Sequence, residues 1–446
     1  MTELRCAMRL PKILKQFVLQ NAIWTALCFV AEVFCHSVLH LYYPYSYPFI
    51  PPSSRFGDFR FYLTAFSHFH SPQFFVPDRP MMYPAPMGLC YKLFLWQRGP
   101  MVDPAFVTAR FLGVVLVTSW IMLALLRRAL IRRGLAPKSA TLFLMAVYLL
   151  AFPFWFEVFC ANLEFVIWVL VTLAIWAFWT ERPWIAAICV GVAASMKIYP
   201  FVFLGIFLVR KQYRQAVCSL LVGGLTTLVS LWAICPDLRA SWQGTSYGLN
   251  YFREHWILRL APIETGFDHS LFCLLKRILY PLPPPQQLGH ILNLYLAVVA
   301  VAGVVLFFTR IWKLPLINQI LCLSIASILL PPTSYDYTLI HLYAPFALLL
   351  FVALERARRA PAEKADRGLI MAFALLAFLL SVQSEFIHRA VRFGGQLKCI
   401  ALLLLWAVAM IYPFEANELP SPQGRSGSLP GPFAGEPAAT LAGGQS

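Results

Sequence analysis

The chain has 446 residues, 60% of them hydrophobic and 13% charged, with a formal net charge of +16. So small a charged fraction, about half that of water-soluble globules, excludes a soluble domain and makes lipid the solvent. The positive charge does not mark a nucleic-acid binder, because the basic residues lie between apolar runs instead of forming one face or arm.

Runs near 17–39, 105–126, 139–157, 160–180, 216–235, 291–309, 316–330, 338–354, 368–382 and 397–412 are almost free of charge. They predict an all-α polytopic membrane protein, since most approach the roughly 20 residues that cross a bilayer's hydrocarbon. The first run ends in Cys35, His36 and His40 without a small-x-small cleavage site, so it reads as a retained helix rather than a signal peptide. With Arg5, Arg9, Lys12 and Lys15 assigned to the cytoplasm, the basic loops Arg127–Lys138, Arg210–Arg214, Arg310–Lys313 and Arg356–Arg367 become cytoplasmic as well. The loops 40–104, 236–290, 331–337 and 383–396 then face outward, and chemistry is expected there. Both termini fall on the cytoplasmic side of what is taken to be a bacterial inner (plasma) membrane.

In the first outer loop, Phe59, Tyr62, Phe66 and Phe69 recur at three- and four-residue spacing, which predicts a short interfacial helix. A second is expected over 84–96, entered through Tyr83-Pro84-Ala85-Pro86. The segment 184–209 is two short apolar runs broken by Lys197-Ile198-Tyr199-Pro200, and neither run spans a bilayer alone. It is either one kinked helix or a hairpin that enters from the cytoplasm and returns, leaving Lys197 at membrane depth. The hairpin is preferred, because it puts the loops 40–104 and 331–337 on one side, and it gives about ten crossings. The domain is therefore 1–412, followed by a Gly-, Ser- and Pro-rich tail, 413–446, expected to be disordered.

Three places combine ionisable and polar groups near the membrane surface. Asp58, in Arg55-Phe56-Gly57-Asp58-Phe59-Arg60-Phe61-Tyr62, suits a general base beside aromatic rings, and equally suits a helix N-cap. Lys197 is the one basic residue placed within an intramembrane segment; its natural partner is a phosphate, and the plainer alternative is a snorkelling side chain near a helix end. The outer loop Pro331-Pro332-Thr333-Ser334-Tyr335-Asp336-Tyr337 with His341 offers contacts to sugar hydroxyls, or is simply a proline turn with Asp336 as cap. Gly266-Phe267-Asp268-His269-Ser270 is similar. Glu32, Glu157 and Glu164, with Asn162 beside the last two, fit pairing within the bundle better than a proton path. His36, His40, His68 and His70 lack a carboxylate to complete a metal set, so no metal and no cofactor is expected.

Gly57-Asp58-Phe59 with Tyr62, Tyr83-Pro84-Ala85-Pro86, Asn162 opening an apolar helix, Ala193-Ala194-Ser195-Met196-Lys197-Ile198-Tyr199-Pro200 and Pro332-Thr333-Ser334-Tyr335 occur in one order along most of the chain. Together they resemble glycosyltransferase family 87, within the GT-C superfamily of polytopic enzymes that use polyprenyl-phosphate sugars. The resemblance implies a GT-C-like helical bundle and an acidic base in the first outer loop, which by position is Asp58. It also implies a sugar, mannose in the best-known members, moved from a polyprenyl-phosphate donor to a lipid or glycan acceptor. On this reading Lys197 and Tyr199 bind the donor phosphate, and Arg60, Tyr62, Tyr83, Asn162, His269, Ser334, Tyr335, Asp336 and His341 line the substrate. Where similar sequences carry Ser-Trp followed by a histidine, this chain has Ser334-Tyr335-Asp336-Tyr337, so that histidine's role passes to His341 or to no residue. The absence of a dinucleotide-binding GxGxxG or a P-loop agrees with a lipid-phosphate donor. The competing class is a transporter or flippase, which also builds midplane sites from broken helices, although no internal repeat supports it.

Overall fold

The computed structural model describes residues 10–38, 57, 62, 70, 74, 81–95, 104–259, 266–359, 366–384 and 393–415. These form helices joined by short turns: α1 (Lys12–Ser37), α2 (Ala85–Leu95), α3 (Pro104–Arg132), α4 (Pro137–Leu149), α5 (Phe152–Cys160), α6 (Glu164–Trp179), α7 (Pro183–Met196) and α8 (Leu204–Val209). There follow α9 (Tyr213–Ile234), α10 (Leu238–Phe252), α11 (Leu271–Ile278), α12 (Pro285–Thr309), α13 (Leu316–Leu329), α14 (Tyr343–Arg359), α15 (Arg367–Ser381) and α16 (Gly394–Ile411). The chain is an all-α polytopic membrane protein. Among the described residues, six helices are long and apolar enough to cross a membrane, or seven if α4 and α5, bent by 53°, act as one span. The sequence reading of about ten crossings also counted the runs 160–180, 316–330 and 368–382, which here are the short helices α6, α13 and α15.

Those short helices are the centre of the bundle. Every residue of α13 after Leu316 is buried, and α6 and α15 are buried over most of their surface, whereas α3, α9 and α12 present exposed faces of Leu, Val, Phe and Trp suited to lipid. An apolar helix that touches protein all round need not match the bilayer's thickness, because its backbone bonds are satisfied internally and its side chains by neighbours.

The broken segment folds back on itself. Lys197, at the end of α7, is extended (φ −146°, ψ 143°) and lies beside Glu164 at the start of α6. Ten residues on, the Phe207 ring is 4.8 Å from Phe178, and Arg210 donates to the Phe178 carbonyl at 3.0 Å, at the opposite end of α6. The two arms of 183–209 thus start and finish at one end of the bundle, with Lys197 at the apex. α7 reaches α9 through small residues: a methyl group on Gly191 would stand 2.4 Å from the Ser219 carbonyl oxygen, and one on Gly223 would stand 3.1 Å from the Gly191 carbonyl oxygen.

The end of the bundle that holds Arg210 is basic. Arg133 lies 4.0 Å from Glu355, Arg356 pairs with Asp366, and Arg310 caps the Met410 carbonyl. Asn318 donates to the carbonyls of Ala409 and Tyr412 and accepts from Phe414 N–H, so residues 413–415 belong to the packed domain rather than to a tail beginning at 413. In the segment 236–290, expected to face outward, α10 is an amphipathic helix capped by Asp237, with Ser241, Thr245 and Gly248 buried and Leu238, Trp242 and Leu249 exposed, which suits the interface. The helix expected over 84–96 forms as α2, but its Met87 and Tyr91 are fully buried, so one face packs into the bundle. The interfacial helix expected over 58–69 lies almost wholly outside the described residues.

Gly191→Ala is expected to destabilise the fold by about 1–3 kcal/mol, because the backbone oxygen it would strike cannot move aside as a flexible side chain can. Thermal unfolding in detergent, with Gly303→Ala on the open face of α12 as control, reads the difference.

Candidate active site

The turn between α5 and α6 sets the first part of the site. Ala161 takes a left-handed conformation (φ 53°) and reverses the chain. The first N–H groups of α6 have no partner within the helix, so side chains supply them: Asn162 Oδ1 accepts from Glu164 N–H at 2.9 Å, and Glu157 Oε1 accepts from Phe165 N–H at 2.8 Å. Asn162 also donates to the Tyr83 hydroxyl at 3.1 Å, tying α6 to the entrance of α2.

Glu164 has no solvent exposure, and both of its oxygens are engaged. Oε2 pairs with Lys197, and Oε1 accepts from His341 Nε2 at 2.7 Å. The Tyr199 hydroxyl is 2.8 Å from the same His341 nitrogen. A carboxylate only accepts, so Nε2 carries a proton toward Glu164. The Lys197 ammonium is 5.4 Å from the ring centres of both Tyr83 and Tyr337, and its side chain remains 17% exposed. Tyr62, Tyr83 and Tyr91 form a cluster with ring centres 5.1 to 6.1 Å apart. On the other side Tyr337 stacks on Phe156, and Phe156 on Phe267. Lys197 is thus a partly exposed cation flanked by aromatic rings, and its exposed side is the opening of this site.

A second polar group packs behind this one. Asp336 Oδ1 accepts from Lys398 at 3.0 Å and from the Ser384 hydroxyl at 2.6 Å, Oδ2 accepts from Ser384 N–H at 3.1 Å, and His269 Nδ1 stands 3.5 Å away. His269 Nε2 lies 3.0 Å from Ser334 Oγ and 3.2 Å from Thr338 Oγ1. Asp268 Oδ1 accepts from the backbone N–H groups of Ser270 and Ser334. These side chains join the loop before α11, the turn Asp336–Leu342, the end of α15 and the start of α16 into one buried knot. Gly395 is part of it, since a methyl group there would stand 2.2 Å from the Asp268 carbonyl oxygen.

The structure therefore brings Lys197, Tyr199, Tyr83, Asn162 and His341 together, with Tyr62 one ring away. It separates His269, Ser334 and Asp336 from them: all three are buried, and His269 Nε2, Ser334 Oγ and both Asp336 carboxylate oxygens bond to protein groups. Tyr335 is half-buried with its ring 5.9 Å from Tyr337. Asp58 and Arg60 lie outside the described residues. Glu164, which the sequence suggested only as a pairing carboxylate, is the hub. Lys398, fully buried in the candidate span Gly394–Ile411, is another basic residue held inside the bundle, so Lys197 does not stand alone as the sequence reading had it. Its signal was available, as one lysine in an otherwise apolar run, but its partner Asp336 lies 62 residues away and only folding joins them. Among the described residues, no three His, Cys, Asp or Glu side chains converge to hold a metal.

The sequence profile described as glycosyltransferase family 87 matches residues 82–332, more than half of the chain. The chain belongs to glycosyltransferase family 87. The match takes in Tyr83, Asn162, Glu164, Lys197, Tyr199 and His269 and ends within the loop 331–337, before Ser334 and Asp336. A curated relative from Mycobacterium tuberculosis, named polyprenol-phosphate-mannose-dependent alpha-(1-2)-phosphatidylinositol mannoside mannosyltransferase, is 26% identical over 203 residues. That alignment covers 45% of this chain and 46% of the relative, so the chain spans about half the length of the protein it matches. No solved structure matches the chain.

Two consequences of the knot are measurable. Lys398→Met leaves the Asp336 carboxylate buried without its lysine and is expected to cost about 3–5 kcal/mol in unfolding experiments in detergent. Asp268 is fully buried, and that burial raises its carboxyl above the usual carboxylate range despite nearby Lys276 and its backbone donors. A folded-state value above the unfolded one gives stability that is present at low pH and lost as pH rises through the folded value. Asp268→Asn, which keeps the Oδ1 acceptor, should flatten that decline in stability measured from the ordinary carboxylate range toward neutrality.

Proposed function

We propose that this chain transfers a hexose, with mannose the first candidate, from a polyprenyl-phosphate sugar to a lipid or glycan acceptor at the outer face of a bacterial plasma membrane. The observation that carries the reading is the Lys197 ammonium at the apex of a broken helix, partly open and flanked by two tyrosine rings. A lipid-borne phosphate enters from the side of a bundle, and a cation at membrane depth, supported by buried protein groups, is where its charge is best met. The family membership favours transfer over transport, and the relative's name supplies mannose and a polyprenol-phosphate donor as the first substrates to try. The basic end of the bundle, taken as cytoplasmic, leaves the Lys197 opening toward the other face.

The reaction is an inverting single displacement. The acceptor hydroxyl oxygen forms a bond to the anomeric carbon as the bond from that carbon to the phosphate oxygen breaks. The hydroxyl proton passes to the Asp58 carboxylate, and the bonding electron pair leaves with the polyprenyl phosphate, whose added negative charge Lys197 and Tyr199 meet. Tyr62, Tyr83 and Tyr335, with Asn162 and His341 behind them, offer ring faces and hydrogen-bonding groups to the sugar. Arg60 is the remaining candidate for a phosphate or a sugar hydroxyl.

Purified protein in detergent, given radiolabelled polyprenyl-phosphate mannose and native membrane lipids, is expected to label a lipid or glycan product. Asp58→Ala and Lys197→Ala should each lower transfer by about 10²-fold or more while remaining folded. Undiminished transfer by Asp58→Ala removes it as base, and failure of the wild type with mannose and with other polyprenyl-phosphate hexoses overturns the proposal.

A further inference from the structure

Lys197 is already paired before any donor arrives, and its partner is held from behind. Glu164 sits in the first turn of α6, its backbone N–H fixed by Asn162, with one oxygen on Lys197 and the other on His341. Were Lys197 free, an ammonium at this depth would lose its charge or draw in water. Were Glu164 bound to Lys197 alone, moving the lysine away would strand a buried carboxylate, at a cost of several kcal/mol. The second partner removes that obstacle, because Glu164 keeps the His341 N–H, with Tyr199 in contact with the same imidazole, when Lys197 turns elsewhere. The lysine has the freedom to do so: it lies outside helical geometry, its side chain is partly exposed, and the rings beside its ammonium among the described residues are those of Tyr83 and Tyr337.

We infer that Glu164 is the resting counter-ion of Lys197, exchanged for the lipid phosphate when that anion enters, with His341 retaining the released carboxylate. Glu164 is thus a positioning residue that also competes with the ligand. It keeps the cation charged and in place in the empty enzyme, and it loosens the grip on the polyprenyl phosphate left after transfer. The inference rests on the assignment of Lys197 to the phosphate, and it makes a signed prediction: removing the Glu164 charge tightens binding of the anion. A carboxylate that served only to hold the fold would, when removed, weaken it.

The test measures binding of polyprenyl phosphate alone, without sugar or turnover, to detergent-purified wild type, Glu164→Gln and Lys197→Ala. The amide keeps the size and the acceptor oxygen. Glu164→Gln is expected to bind roughly fivefold more tightly, and in the transfer assay to lower both KM for the donor and kcat as product release slows. Lys197→Ala is expected to bind more weakly than wild type. If Lys197→Ala weakens binding but Glu164→Gln leaves it unchanged or weaker, the counter-ion exchange is wrong and the phosphate assignment stands. If Lys197→Ala binds as wild type does, the assignment itself fails. Should Glu164→Gln not fold, Glu164→Asp carries the test: the shortened carboxylate reaches Lys197 less well, and binding no tighter than wild type overturns the exchange.

Discussion

A carboxylate with no exposure to water, at the head of an apolar helix, governs the architecture around it. Ionised in such a place, Glu164 requires partners on both oxygens. It takes one from Lys197, 33 residues along the chain, and one from His341, 177 residues along. Meeting that demand fixes where the broken segment 183–209 turns and where the segment leading into α14 must pass. The aromatic walls follow, since Tyr83 is bound through Asn162 to the start of the same helix, and Tyr337 precedes His341 by one helical turn.

The knot around Asp336 serves a different end. Its groups are as buried as Glu164, but they bond only to protein and none opens toward the aromatic site. Loops at the end of a membrane bundle have backbone groups that neither helix nor lipid satisfies, and a buried polar cluster lets several of them be packed together. Two lysines thus pair with fully buried carboxylates but with opposite characters. Lys398 is sealed and bonded, while Lys197 is partly open and shares its partner. That contrast, more than the presence of either lysine, marks the place for a mobile anion.

Much of this was legible in the residues. Low charge and repeated apolar runs called for a helical membrane bundle, the basic loops ordered its two ends, and the interruption at Lys197-Ile198-Tyr199-Pro200 marked a break no continuous helix would place there. Tyr83, Asn162, Lys197, Tyr199 and His341 could be picked out singly, as polar or aromatic residues in apolar surroundings. Their sharing of one carboxylate could not. Glu164 looked like one helix carboxylate among three, and His269, Ser334 and Asp336 looked no different from residues that line an opening.

The sequence by itself thus determined the solvent, the helical class, the sidedness of the charge and the position of the broken segment, because each follows from local composition and from periodicity over fewer than about 25 residues. Only the tertiary structure decided which short apolar helices are enclosed by the bundle, that Gly191 and Gly223 bring α7 and α9 together, and which polar residues face the opening rather than one another. Those outcomes rest on contacts between residues 28 to 177 positions apart in the chain, where the pairing of a buried charge depends on what the fold brings beside it and not on the run of residues in which it stands.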